Sequence, residues 1–387
     1  MYRSRRLKQV SAAIFNQVAA KKQELQKKGR EMIDLSIGSP DLPPAPHILE
    51  QLQQEVAKPG NYGYTLQVSD EFRQAVAKWY NARFGVTLNP REEVLGLLGS
   101  QEGLANICLA LLDPGDLVIV PDPAYPIYHA GPILAGAELY PLPLVPENNF
   151  VPQLDRIPAE VADRAKLMIL NFPSNPAAST VTLDFFRSLV EFANKHSILV
   201  LHDAAYSELA YDGFRPPSFL QVEGAKEVGI EFNSLSKTFN MAGCRIGYAV
   251  GNPFMLKALA EIKGHTDYGP FNPIQKAAVA ALTGPQDYVR ATASRYQQRR
   301  DLLVRGLNSI GWKVSSPKAT MFLWAQVPGG QDDVRFTFDL MERSGVCVVP
   351  GSGFGAHGKG YVRIALVQKE ELLERAVELI AKSGLIS

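Results

Sequence analysis

An α/β fold built on a mostly parallel sheet is the architecture this sequence predicts, and three observations predict it. From about residue 47 to about residue 285, short apolar runs alternate with amphipathic stretches such as Leu183 to His196, the pattern of βαβ units. Several of those runs stop in a polar residue or a Gly/Pro turn. Val94-Leu-Gly-Leu-Leu leads to Gly99-Ser100, Leu167-Met-Ile-Leu to Asn171 and a Pro-rich turn, and Ile198-Leu-Val-Leu to His202-Asp203. The chain of 387 residues is also too long for one small core, so a second, smaller domain is expected beside the first.

Taken in order, the first thirty residues are basic, with Arg3, Arg5, Arg6, Lys8, Lys21, Lys22, Lys27 and Lys28. Leu7, Val10, Ile14 and Val18 recur at helical spacing without the apolar core of a signal peptide. This reads as a helix packed on the protein's own surface or on a neighbouring subunit, rather than a transit peptide or a membrane-surface helix. Met32 to Gly38 reads as a strand entering the Pro-rich turn Pro40 to Pro46, a natural crossing between domains. The expected division is therefore 1–46 as an N-terminal arm and part of the small domain, 47–285 as the large domain, and 286–387 as the rest of the small one. Within the large domain, Leu104 to Leu112 is helical and closes on the turn Asp113-Pro-Gly115. Beyond Gly284-Pro285 a long polar helix spans Tyr288 to Leu307. Gly311 to Ser316 and Thr320 to Val327 read as strands, Val346 onward as a strand and Gly loop, Tyr361 to Leu366 as a strand, and the end as a helix.

The most informative chemistry is Lys237, in Ser234-Leu-Ser-Lys-Thr-Phe-Asn-Met-Ala-Gly-Cys-Arg245. Its amine can condense with a carbonyl carbon. Ser234, Ser236 and Arg245 supply the donors and positive charge that suit a phosphate, so the run reads as a site for pyridoxal phosphate, although such a segment alone also describes a solvated loop. Asp203 ends a buried strand and is the residue type needed opposite a pyridine nitrogen, which its charge keeps protonated. Tyr206 follows three residues later, within reach of a ring oxygen. Asn175 is polar at another strand end, though an Asn before Pro also simply starts a turn. Gly99-Ser100 opens a helix whose first amides lack intrahelical partners and so suit an anion. In an open parallel sheet ligands gather at the carboxyl ends of strands, which is where Ser100, Asn175, Asp203 and Lys237 fall.

Gly99-Ser-Gln-Glu-Gly, Pro121-Asp-Pro-Ala-Tyr125, Asn171-Phe-Pro-Ser-Asn175-Pro, Asp203-Ala-Ala-Tyr206, Ser234-Leu-Ser-Lys237 and Tyr361-Val-Arg363-Ile form an ordered set. That set resembles the class I/II aminotransferases, the fold type I pyridoxal phosphate enzymes, over nearly the whole chain. Ala225 to Gly243 further resembles the LL-diaminopimelate aminotransferases and relatives acting on alanine, methionine or glutamine. Three positions depart from the usual pattern: Gln101 stands where Lys is common, Cys244 where Trp is, and Ala177-Ala178 where Thr-Gly is.

The resemblance implies a seven-stranded-type sheet flanked by helices and ping-pong transfer of an amino group between an L-amino acid and a 2-oxo acid. It implies that Lys237 holds the cofactor and moves the proton, that Asp203 pairs with the ring nitrogen, and that Tyr206 and Asn175 bond the ring oxygen. Tyr125 would stack on the ring. Ser100, Gln101, Ser234, Ser236 and Arg245 would bind the phosphate, joined by Tyr64 from a second subunit, with Tyr62 close by as the other candidate. Arg363 would clamp the substrate α-carboxylate beside the backbone of Gly38 and Asn175. Without the family, Arg363 is an outward strand residue between Val362 and Ile364, Tyr125 a turn aromatic, and His202 a satisfied buried histidine.

The net charge of +1 gives no basic field for nucleic acid, and no run approaches a membrane span. His129, His196, His265 and His357 lack metal-ligand spacing, so no metal is expected. Cys108, Cys244 and Cys347 are few and scattered, as in reduced cytoplasmic proteins. Two other activities stay open on the residues. A C–S β-lyase uses the same lysine, aspartate and arginine. A cofactor-binding regulator would need a winged helix, for which the roughly forty residues before the fold leave no room.

Overall fold

The computed structural model describes residues 2, 4–10 and 13–386; Arg3 of the basic N-terminal run lies outside them. Twelve strands follow in chain order: β1 Ile33–Asp34, β2 Val94–Leu97, β3 Leu117–Asp122, β4 Glu138–Pro143, β5 Ala165–Asn171, β6 Leu199–Asp203, β7 Gly229–Ser234, β8 Gly247–Gly251, β9 Phe322–Gln326, β10 Val346–Cys347, β11 Val349–Pro350 and β12 Tyr361–Ala365. Seven of them form the central sheet in the order β2-β8-β7-β6-β5-β3-β4. Its ladders are parallel except where β8 runs antiparallel to both β2 and β7.

Successive side chains of a strand point to opposite faces, and here each face has its own core. Met168, Leu170 and Val200 pack with Phe186, Leu189 and Ala193 of the helix Leu183–His196, whose bounds are those the periodicity predicts. Leu167, Ile169 and Leu201 pack on the other face with Leu104 and Ile107 of Ser100–Leu111 and with Leu256 and Leu259 of Pro253–Thr266. The interior strands are thus buried on both sides, which is why they read as continuous apolar runs.

A third core gathers the C-terminal part. The antiparallel sheet β11-β12-β9 is backed by helices Asp287–Ser309, Asp333–Ser344 and Glu370–Lys382. Ile33 and Leu35 join this core because β1 pairs in parallel with β10, so the N-terminal strand belongs with the C-terminal unit.

Two expectations change. Gly311 to Ser316 forms no strand among the described residues. Its alternating Trp312 and Val314 are buried, but the Asn308 side chain donates to Val314 O at 3.0 Å and accepts from Val314 N at 3.0 Å. With backbone groups already satisfied, the segment has no need of a ladder partner. The N-terminal helix is in fact two, Arg5–Gln9 and Ala13–Lys27, with Val10 extended between them. The first is tied to the helix Ile127–Ala135 by Arg6 Nη1 donating to Leu134 O at 2.7 Å, and the second packs Val18 and Leu25 on Met341 and Cys347. Among the described residues no helix is long and apolar enough to cross a membrane, and no cluster of His, Cys, Asp or Glu has the makings of a metal site.

Candidate active site

The carboxyl ends of the parallel strands meet the C-terminal sheet across one cavity of about 320 Å³. At the end of β2, Gly99 caps the helix Ser100–Leu111 with φ of 80°, a conformation that favours glycine, and a Cβ there would also fall 2.5 Å from Arg245 Nη2. Glu102, in that first turn, accepts from Leu98 N at 3.1 Å and from Lys263 Nζ at 2.9 Å, which pins the turn. At the end of β7, Ser234 caps the short helix Leu235–Thr238 by accepting from Ser236 N at 3.1 Å, leaving its hydroxyl proton free to donate. Arg245 bonds the carbonyl of Ala242 at 2.9 Å and forms no ion pair among the described residues. This end of the cavity is therefore an anion site made of hydroxyls, helix amides and an uncompensated cation.

At the other end, β5 and β6 bring up their last residues. Asn171 donates to Asp203 O at 2.8 Å and accepts from Asn175 N at 2.7 Å, so one amide side chain fixes both neighbours. Asp203 is buried and receives Tyr128 Oη at 2.7 Å and Ala205 N at 3.2 Å. Burial pushes its carboxyl pKa up, against those hydrogen bonds. Tyr206 is buried beside it, its phenol also pushed up by burial.

Lys237 lies between the two ends, with Nζ donating to Gly38 O at 2.6 Å. Burial, then the nearby charges of Arg363 and Arg245, lower its amine to about 8. Arg363 enters from β12, its Nη1 on Asn175 Oδ1 at 2.9 Å and Nη2 on Ser36 O at 2.8 Å, with the rings of Phe322 and Phe354 at 4.3 and 4.8 Å. Burial lowers it to about 10, and its Nε is buried without a hydrogen-bond partner. A cation desolvated and held by neutral groups alone suits an incoming carboxylate.

Every residue singled out from the sequence except Tyr64 lines this cavity: Gly38, Ser100, Gln101, Tyr125, Asn175, Asp203, Tyr206, Ser234, Ser236, Lys237, Arg245 and Arg363. Tyr64 is 91% exposed, its ring edge-on to Tyr268, and Tyr62 instead donates to Val56 O. Gln101 accepts from Tyr125 Oη at 2.9 Å through its side-chain carbonyl. His202 faces away, its Nδ1 2.8 Å from the buried Glu231 and its Nε2 without a partner. The sequence reading missed Tyr128, Asn171 and Phe322. Tyr128 had a signal, one helical turn beyond Tyr125. Phe322 had none, since its ring is set against Gly38, where a Cβ would meet it at 2.5 Å.

This donor set fits pyridoxal 5′-phosphate. Among the described residues, one end offers donors and a cation without an ion pair for the phosphate, the other a buried carboxylate without a cationic partner for a protonated ring nitrogen, and between them stands an amine for the aldehyde carbon.

Comparison with known proteins agrees. The family model for aminotransferases of class I and II matches residues 30–380. The LL-diaminopimelate aminotransferase of Moorella thermoacetica is 47% identical over 383 residues, 99% of this chain and 98% of its own length. That of Desulforudis audaxviator is 46% identical over 97% of this chain and 96% of its own. Among solved structures, substrate-bound BacF of Bacillus subtilis superposes with a TM-score of 0.95 at 37% identity, over 99% of this chain and 98% of that one. A probable N-succinyldiaminopimelate aminotransferase from Thermus thermophilus gives 0.91 at 38% identity, over 96% and 100%. Strand order, cavity chemistry and full-length likeness converge, and the chain belongs to the pyridoxal-phosphate-dependent aminotransferases of class I and II.

Proposed function

We propose that this aminotransferase moves an amino group from LL-diaminopimelate to 2-oxoglutarate, or the reverse. The observation that carries the reading is the likeness to LL-diaminopimelate aminotransferases along almost the entire chain. When bound, pyridoxal phosphate supplies the carbonyl that takes up the amino group and the ring that draws off the electrons left by the α-proton.

The chain's residues do the rest. Ser100, the amide of Gln101, Ser234, Ser236 and Arg245 would hold the phosphate, and Tyr125 would stack on the ring. Asp203 would keep the ring nitrogen protonated, while Tyr206 and Asn175 would donate to the ring oxygen. Arg363 takes the substrate's α-carboxylate with two parallel N–H bonds, next to Gly38. Lys237 would hold the cofactor through its aldehyde carbon and would carry the proton released from the substrate's α carbon. Residues 47–285 carry the cofactor as one domain. Residues 1–46 and 286–387 form the other, which carries Arg363 and closes over the substrate.

The enzyme acts as a homodimer in which the exposed Tyr64 reaches the partner's phosphate site. We assign it to the cytoplasm, where its free Cys108, Cys244 and Cys347 stay reduced. A monomeric mass at working concentration, with full activity, would sink the dimer.

The depressed lysine has a stability consequence. A folded-state pKa of about 8 against an ordinary 10.5 means that the unfolded chain binds more protons across that window. Stability therefore rises with pH between those values, and the cost of the charged amine is fully present below them. In the cofactor-free protein, Lys237→Met should gain about 2–3 kcal/mol at pH 7, the gain fading toward pH 10.5. Urea unfolding at both pH values checks this, and a loss at pH 7 would contradict it.

The function is tested by adding LL-diaminopimelate, N-succinyl-diaminopimelate, glutamate, alanine, methionine or glutamine separately to the holoenzyme without an acceptor, and following the cofactor absorbance. The reading requires LL-diaminopimelate and glutamate to convert the cofactor to its amino form fastest. A faster conversion by another donor replaces the substrate. With cystathionine as an added arm, pyruvate accumulating over many turnovers without an acceptor replaces transamination with the lyase reading.

A further inference from the structure

Asp203 stands in a setting that ought to neutralise it. Its carboxylate is buried, and no lysine or arginine pairs with it among the described residues. A carboxylate so placed either takes up a proton or is held ionised by hydrogen bonds. Two donors reach it, one on each oxygen: Ala205 N at 3.2 Å on Oδ1, and Tyr128 Oη at 2.7 Å on Oδ2. The second has the length of a charge-assisted O–H···O⁻ bond.

Tyr128 comes from a different element, the helix Ile127–Ala135, and is itself 2% exposed. Its ring lies edge-on to Tyr125 at 6.0 Å, so the same side chain touches the aromatic that lines the cavity and the carboxylate at its base. Burial and the Asp203 charge push the Tyr128 phenol well up, so it stays an O–H donor. The titratable groups around Asp203 are Tyr125 and Tyr128 from the helix side, His202 beside it, Tyr206 after it, Glu231 on β7, and Lys237 across the cavity. Of these, Tyr128 alone is hydrogen-bonded to the carboxylate among the described residues.

We propose that Tyr128 is the positioning residue of Asp203: its hydroxyl holds the carboxylate ionised and, with the Ala205 amide, fixes its plane so that one oxygen face stays open to the cavity. The inference rests on the reading that Asp203 pairs with the cofactor's ring nitrogen. Tyr128 lines the base of the cavity and acts through Asp203, the group its hydroxyl bonds.

Tyr128→Phe removes the hydroxyl and keeps the ring. Without the donor, Asp203 is protonated at higher pH. The acid-side midpoint at which the holoenzyme releases its cofactor should then rise by about one to two pH units, the worth of one hydrogen bond to a charge. At neutral pH the cofactor dissociation constant, read by tryptophan fluorescence, should rise about 5- to 20-fold. Replacing Tyr128 by 3-fluorotyrosine, a more acidic phenol of nearly the same shape, should move the midpoint the opposite way. A packing role alone would not produce that reversal, and the variant serves equally if Tyr128→Phe folds poorly.

In an Asp203→Asn background, Tyr128→Phe should change the dissociation constant less than about twofold. The same factor in both backgrounds, or a midpoint that stays put in both Tyr128 variants, overturns the proposal. If Asp203→Asn alone leaves cofactor affinity unchanged, the reading of Asp203 falls and this one with it. If Asp203→Asn weakens affinity while the Tyr128 variants do not, only the role of Tyr128 falls.

Discussion

Lys237→Ala should slow the conversion of amino acid to 2-oxo acid by roughly 10²–10⁴-fold, the range a positioned proton carrier contributes. The lysine is suited to that work because burial and two neighbouring guanidinium charges bring its amine to about 8, so about a tenth is unprotonated at pH 7 against far less for an ordinary lysine. Its contact with Gly38 O at 2.6 Å holds it at the cavity floor rather than in solvent. The anion site and Arg363 do not depend on it, so substrate KM should move only a few-fold. Added methylamine should restore part of the rate by entering the space left. Stopped-flow absorbance in single-turnover mode checks both points, and a rate within tenfold of the parent would remove Lys237 from the reaction.

Arg363→Lys should lower kcat/KM for amino acids about 10²–10³-fold, mainly by raising KM, as expected when one member of a buried charged pair is altered. A lysine carries the charge but not the planar fork. It would also leave the Asn175 side chain and the Ser36 carbonyl without the donors that now reach them at 2.9 and 2.8 Å. The stacking on Phe322 and Phe354 would be lost as well. A primary amine lacking the carboxylate separates the explanations: its slow conversion should be the same in both enzymes. An equal loss with that amine would mean that Arg363 shapes the cavity instead of reading the carboxylate.

Much of this site was legible before any coordinates. Asp203 follows an uninterrupted apolar strand, and Ser100 and Ser234 open helices after Gly or strand signals; local pattern puts each at a strand end. Strand direction was not legible. The apolar run of β8 reads the same whichever way the strand points, so only the ladders reveal that it alone is antiparallel in its sheet. Trp312 and Val314 alternate as a strand would, yet Asn308 satisfies the Val314 backbone, a competition between side chain and ladder that periodicity does not record.

By itself, the sequence determined the class of the fold, the order of its elements, and an amine, a carboxylate, hydroxyls and an arginine suited to one cofactor. Those properties follow from residue type and short-range spacing. Tertiary structure alone decided that Tyr128 reaches Asp203 across 75 residues and that Arg363 finds Asn175 across 188. It likewise decided that β1 crosses to pair with β10 in the C-terminal unit. It lowered the titration of two groups too, because the lysine near 8 and the arginine near 10 owe those values first to desolvation, which exists only once the surrounding elements have closed out water.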